Sequence, residues 1–118
     1  MKRLVLGIIL ISSILLAQGA PIKVQTQRAY NSVYGYYYPK IIITSIEDKV
    51  TIKNVKVNKG NCKYTNTDIV YRNGRMQTIP LLPRTLKYGQ HIEIRLQSSC
   101  NLLRVDIETD KNTWTVEY

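Results

Sequence analysis

The chain has 118 residues, with 17 Lys and Arg against 8 Asp and Glu, one His and two Cys. That length leaves room for one domain, and a single His with two Cys rules out a His-cluster metal site. The formal charge of +9 favours polyanionic partners, although a basic surplus of this size also serves solubility alone.

Met1-Lys2-Arg3 opens the chain with two positive charges, Leu4 to Leu16 is apolar apart from Gly7 and Ser12-Ser13, and the small residues Ala17 and Gly19 follow. This order of basic, apolar and small residues is that of a secretory signal. The apolar run of 13 residues is shorter than the roughly 20 a membrane span needs. The expectation is cleavage after Gly19, which leaves 99 residues and takes the charge to +7, with no membrane span in the processed chain.

Residues 20–39 form a Tyr-rich N-terminal segment. Tyr30, Tyr34, Tyr36, Tyr37 and Tyr38 fall within nine residues, with Gly35 among them and Arg28 and Lys40 at the flanks. Tyrosine mixed with Gly, Ser and Asn resembles the composition of antibody contact loops, where the rigid amphipathic ring gives contact area at low entropic cost. The plainer reading is a strand or arm whose rings pack on the domain with wet hydroxyls.

Residues 40–118 read as the folded domain. Lys40–Glu47 carries the run Ile41-Ile42-Ile43-Thr44, which predicts a strand covered on both faces. Val50-Thr51-Ile52-Lys53 alternates, and then Val55 and Val57 continue out of phase. A one-residue slip reverses the side-chain faces, so a β-bulge is expected at Lys53–Asn54. Asn58–Asn61 reads as a turn. Short strands are expected at Cys62–Tyr64, Ile69–Tyr71 and Met76–Ile79, the last two joined by the hairpin signal Asn73-Gly74. Pro80-Leu81-Leu82-Pro83 reads as an irregular crossing, because proline cannot donate to a ladder, and Tyr88-Gly89-Gln90 as a turn. His91–Gln97 alternates most cleanly, with Ile92, Ile94 and Leu96 on one face. Leu103, Val105 and Ile107 continue the pattern, Thr109–Asn112 reads as a hairpin loop, and Trp114, Val116 and Tyr118 end it. These last three strands are expected to form a meander.

Seven or eight short strands with regularly spaced turns predict an all-β, single-domain β-sandwich, Ig-like or a related antiparallel sandwich or barrel. The Cys–Trp–Cys order of immunoglobulin domains is absent, because Trp114 follows both cysteines. Cys62 and Cys100 are expected to pair, since an exported chain meets an oxidising compartment.

Candidate chemistry is sparse. His91, Glu93 and Arg95 share one strand face and supply the minimum set for a small ribonuclease: a base, an acid and a phosphate-binding cation. Alternating charges are equally what a solvated strand face carries. Lys53, Lys56, Lys59 and Lys63 cluster in sequence, as either a polyanion patch or an edge protected by lysine. No nucleophile elbow or phosphate loop is present, and no motif calls for a cofactor. The expectation is therefore a non-enzymatic exported binding protein, periplasmic or secreted. Abundant Ile, Lys, Asn and Tyr with no Phe match AT-rich codons and a bacterial source. The binding residues are expected to be Tyr34, Tyr36, Tyr37 and Tyr38 with Lys53, Lys56, Lys59 and Lys63. The partner is expected to be an envelope or secreted protein, as an apparatus subunit or as an enzyme inhibitor, with an anionic polymer second and no specific nucleic acid indicated.

Overall fold

The computed structural model describes residues 19–118. Apart from Gly19, the leader expected at 1–19 lies outside the described residues. The described residues form nine strands: β1 (Ile22–Asn31), β2 (Tyr36–Ser45), β3 (Lys49–Val57), β4 (Thr67–Arg72), β5 (Arg75–Pro80), β6 (Arg84–Lys87), β7 (His91–Arg95), β8 (Arg104–Thr109) and β9 (Thr113–Glu117). One three-stranded sheet has the order β1-β2-β7, a four-stranded sheet has the order β6-β3-β8-β9, and β4 and β5 form a two-stranded sheet. All pairings are antiparallel. The domain is an all-β sandwich.

Alternation places one face of each sheet in the core. Ile22, Val24, Ile41, Ile43, Ile92 and Ile94 come from the first sheet, and Leu96 follows β7. Val50, Ile52, Val55, Val57, Leu86, Val105, Ile107 and Val116 come from the second. These side chains are aliphatic and mostly β-branched, which suits a pleated surface. Trp114 packs against the same core from the edge strand, with its indole Nε1 buried and without a hydrogen-bond partner among the described residues.

The register of β3 against β8 shifts between Ile52 and Asn54. The bulge lies where the phase slip places it, and it keeps Val55 and Val57 pointing inward. Cys62 and Cys100 form a disulfide with a Cα–Cα distance of 5.8 Å. Asn73 (φ 53°) and Gly74 (φ 74°) are both left-handed, the two-residue hairpin turn expected of Asn-Gly.

Three expectations are corrected. The C-terminal strands do not form a meander: β7 pairs with β2, and only β8 and β9 form a hairpin. The bend from Ser98 to Cys100, closed by Cys100 N–H donating to Gln97 O at 3.0 Å, carries the chain from one sheet to the other. Residues 40–47 are covered on one face only. Ile41 and Ile43 are fully buried, while Lys40, Ile42 and Thr44 on the other face are partly exposed. Cys62–Tyr64 is not a strand; a single bridge links Val57 and Cys62. There the chain turns at Asn58–Gly60, and Tyr64 leaves the sheet to donate its hydroxyl to Val55 O at 2.6 Å.

Two arms extend from the sandwich. Strand β1 and the first residues of β2 lie within 20–39, and β2 runs unbroken across Pro39–Lys40. The β2–β7 ladder ends at Lys40↔Arg95, so beyond it the β1–β2 hairpin has two strands only. The β4–β5 hairpin is the second arm. Its base is fixed by Asn66, whose Oδ1 accepts from Leu82 N–H at 2.9 Å and whose Nδ2 donates to Leu82 O at 3.1 Å. The arms account for extents of 52 × 37 × 22 Å and a radius of gyration of 15.0 Å, against about 13 Å for a near-spherical domain of this size.

Candidate functional site

The β1–β2 arm brings the aromatic segment together. From Ala29 to Pro39 the chain carries no Lys, Arg, Asp, Glu or His. An isolated two-stranded hairpin is marginally stable in water, so the arm needs local support. Its tip is closed by Asn31, whose Oδ1 accepts from Val33 N–H at 3.0 Å and Tyr34 N–H at 3.1 Å. Gly35 N–H donates to Asn31 O at 2.7 Å. Gly35 takes φ +71°, a conformation that side chains other than glycine rarely adopt.

The two faces of the arm differ. On the core-side face Tyr30 stands opposite Tyr37 in the register, with ring centroids 4.8 Å apart, and the Arg28 guanidinium lies 5.1 Å above the Tyr37 ring. Such aromatic and cation–π pairs contribute about 0.5–1.5 kcal/mol each beyond burial. On the opposite face Tyr34, Tyr36 and Tyr38 form a row, with centroids 6.4 Å and 6.2 Å apart. Even so packed, the rings remain open to solvent: Tyr34 is 77 % exposed, Tyr30 and Tyr37 54 % and Tyr36 42 %, with Val33 at 81 %. Tyr38 is half-buried.

At its root the arm meets the disulfide loop and the C-terminus. A cavity of about 170 Å³ is lined by Arg28, Tyr37, Tyr38, Pro39, Ser98 and Cys100. An open groove of about 350 Å³ runs beside it. Tyr118 borders the groove, and burial pushes its phenol up to about 12. The loop is held by Asn58. Its Oδ1 accepts from Leu103 and Arg104 N–H at 2.8 and 3.0 Å, and its Nδ2 donates to Asn101 O at 2.7 Å.

The four lysines are spread along one strand and its turn. Lys53 sits at the bulge, Lys56 stands opposite Asp106, Lys59 is in the turn and Lys63 follows Cys62. The outer face near Lys56 carries both signs. Arg104 pairs with Asp106 at 3.1 Å, and that guanidinium, helped by the Thr115 hydroxyl, holds the Asp106 carboxyl below the usual range.

His91, Glu93 and Arg95 do share the outer face of β7. Lys40 reaches Glu93 at 3.1 Å and is the main cause of a lowered Glu93 carboxyl, with His91, 3.4 Å away, adding less. A cleft of about 200 Å³ is lined by Thr65, Thr67, Leu81, Glu93 and Arg95; His91 does not line it. Among the described residues no three His, Cys, Asp or Glu side chains gather as a metal site.

Sequence reasoning missed β1 itself, and with it the pairing of Tyr30 with Tyr37 and the placing of Arg28. The alternation of Ile22 and Val24 with Lys23 and Gln25 was the available signal. It also missed the exposed face of the β4–β5 arm, where Ile69, Tyr71 and Met76 are 60 %, 76 % and 61 % exposed. Comparison with protein-family models, with curated proteins and with solved structures finds no match to this chain.

Proposed function

We propose that the protein is exported and acts as a non-catalytic binding protein, with the β1–β2 arm recognising a protein of the cell envelope or its surroundings. One observation carries this reading: an arm outside the sandwich displays Tyr30, Tyr34, Tyr36, Tyr37 and Val33 to solvent with no charged residue between Ala29 and Pro39. Rigid aromatic rings held by their neighbours lose little entropy on binding, and tyrosine is enriched among residues that dominate interface energy. The disulfide accords with an oxidising compartment, as does the leader pattern of residues 1–19. An apparatus subunit and an inhibitor of a secreted enzyme are the two subclasses this surface serves. The ribonuclease reading draws no support from a Glu93 held by Lys40 and a His91 outside the neighbouring cleft.

The test is capture from an envelope extract by the oxidised, exported protein, beside the Tyr34/Tyr36/Tyr37→Ala variant and a Lys53/Lys56/Lys59/Lys63→Gln variant. A stoichiometric protein retained by the lysine variant and lost by the folded tyrosine variant supports the arm. Loss in the lysine variant alone, with retention on an anionic polymer that falls with salt, overturns it in favour of a polyanion patch. Intact mass of the exported product tests the leader. A chain starting at Ala20 is expected, and an exported product retaining Met1 removes the cleavage reading.

A further inference from the structure

The backbone of β1 is satisfied on one side only. Its register with β2 is continuous from Ile22↔Ser45 to Asn31↔Tyr36, without a bulge. Among the described residues no other strand pairs with it. Outside the ladder with β2, no described residue makes a backbone hydrogen bond to Ile22–Tyr30. A free edge of this length is a template for another strand, and proteins usually blunt such edges with proline, bulges or charge. β1 contains neither proline nor bulge, and after Lys23 its one charged side chain is Arg28.

A groove lies along this strand. Thr26, Gln27 and Arg28 of β1 line it with Pro39 of β2 and with Asn101, Leu102 and Tyr118. Consecutive strand residues point to opposite faces, so a groove touching three in a row reaches the β1 backbone, and Pro39, opposite Arg28 on β2, carries it across the ladder as well. Arg28 lines both this groove and the adjoining cavity. Among the described residues no carboxylate pairs with it.

Resting on the reading of the arm as a recognition surface, we infer that the partner presents an extended polypeptide segment that adds antiparallel or parallel to the open edge of β1 as a fourth strand, with an acidic side chain reaching Arg28 from the groove. Main-chain bonds supply affinity in this mode, and pockets for alternate side chains supply specificity. Charge selects the occupant. A second copy would offer β1 itself, whose sequence IKVQTQRAYN holds two cations and no acid, and the whole chain carries a formal net charge of +9. An acidic foreign strand complements both.

The probe is a phage-displayed library of random ten-residue peptides, selected against oxidised protein purified from the export fraction of cells expressing the full chain. The expected peptides alternate in pattern and carry Asp or Glu. A bound peptide slows hydrogen exchange of the outward β1 amides at least tenfold, N-methylation of its alternate amides abolishes binding, and Arg28→Gln weakens it about tenfold. Three results overturn the inference: no peptide selected, selected peptides that leave β1 exchange unchanged, or a concentration-dependent dimer that protects β1 without peptide. The two readings fail separately. Envelope capture lost in the tyrosine variant but unchanged in Arg28→Gln, with β1 exchange unprotected, leaves the arm standing and removes strand addition. Peptide addition to β1 alongside capture that ignores the tyrosines removes the arm reading instead.

Discussion

Asn58 Oδ1 accepts the backbone N–H of Arg104 at 3.0 Å, joining the turn after β3 to the start of β8 across 46 residues of sequence. The same oxygen accepts Leu103 N–H, and the amide nitrogen donates to Asn101 O. Asn58 sits at φ 50°, a left-handed conformation that asparagine tolerates better than most residues. Asn58→Ala removes three bonds, of which that to Arg104 N–H is partly buried and the others are open to water, and is expected to cost about 0.5–1.5 kcal/mol. Asn58→Asp keeps the acceptor and is expected to lose less. Urea denaturation of the three proteins measures the order; equal midpoints would refute it.

The disulfide spans a sequence separation of 38. Constraining a loop of that length stabilises a small domain by about 4 kcal/mol in the chain-entropy model, a large share of the 5–15 kcal/mol typical of native proteins. The Cys62→Ser/Cys100→Ser variant is expected to lose about that amount in denaturant titration. A loss below about 1 kcal/mol would mean that hydrogen bonds, those of Asn58 and that of Tyr118 N–H to Leu103 O among them, hold the loop without the disulfide.

Acid should weaken the fold through two carboxylates. Asp106 is held below the usual range first by Arg104, and Glu93 first by Lys40. A depressed folded value stabilises the native state above the unfolded values, near pH 4, and that contribution is lost as pH falls through the folded values. Asp106→Asn and Glu93→Gln are each expected to cost about 1 kcal/mol or less at neutral pH, as these pairs are partly solvated. Both should flatten the loss of stability below about pH 4. Denaturation midpoints measured against pH decide it; slopes parallel to wild type would show that other groups carry the acid sensitivity.

The β4–β5 arm should open before the sandwich. Arg72 and Arg75 flank its turn and are exposed, and a two-stranded hairpin has low local stability. Brief trypsin treatment is expected to nick after Arg72 or Arg75. Since Cys62 and Cys100 lie on either side of the nick, the product should run intact without reductant and as two fragments with it. First cleavage at Lys53 or Lys56 instead would place the weak point within the sandwich.

Much of the local structure was legible from residues alone. Ile92, Ile94 and Leu96, Val105 and Ile107, and Asn73-Gly74 signal strands and a turn through period and backbone preference, which need no distant partner. The phase slip at Lys53–Asn54 marks the bulge for the same reason, and two cysteines permit one pairing. Strand partnership was not legible. His91–Arg95 has the same alternation whether it lies beside β8 or beside β2, and only the bend at Ser98–Cys100 and the packing of Ile92 and Ile94 against Ile43 and Ile41 in one register put it with β2. Composition alone exposed the density of tyrosine at 30–38, but not its accessibility. That was decided by where β7 stops. Its ladder ends at Arg95 opposite Lys40, leaving Tyr30 and Tyr37 on a two-stranded arm, and the sheet order β1-β2-β7 leaves the outer edge of β1 unpaired among the described residues. Local periodicity determines which residues are strands; non-local pairing and burial decide which of their edges and faces remain open to a partner.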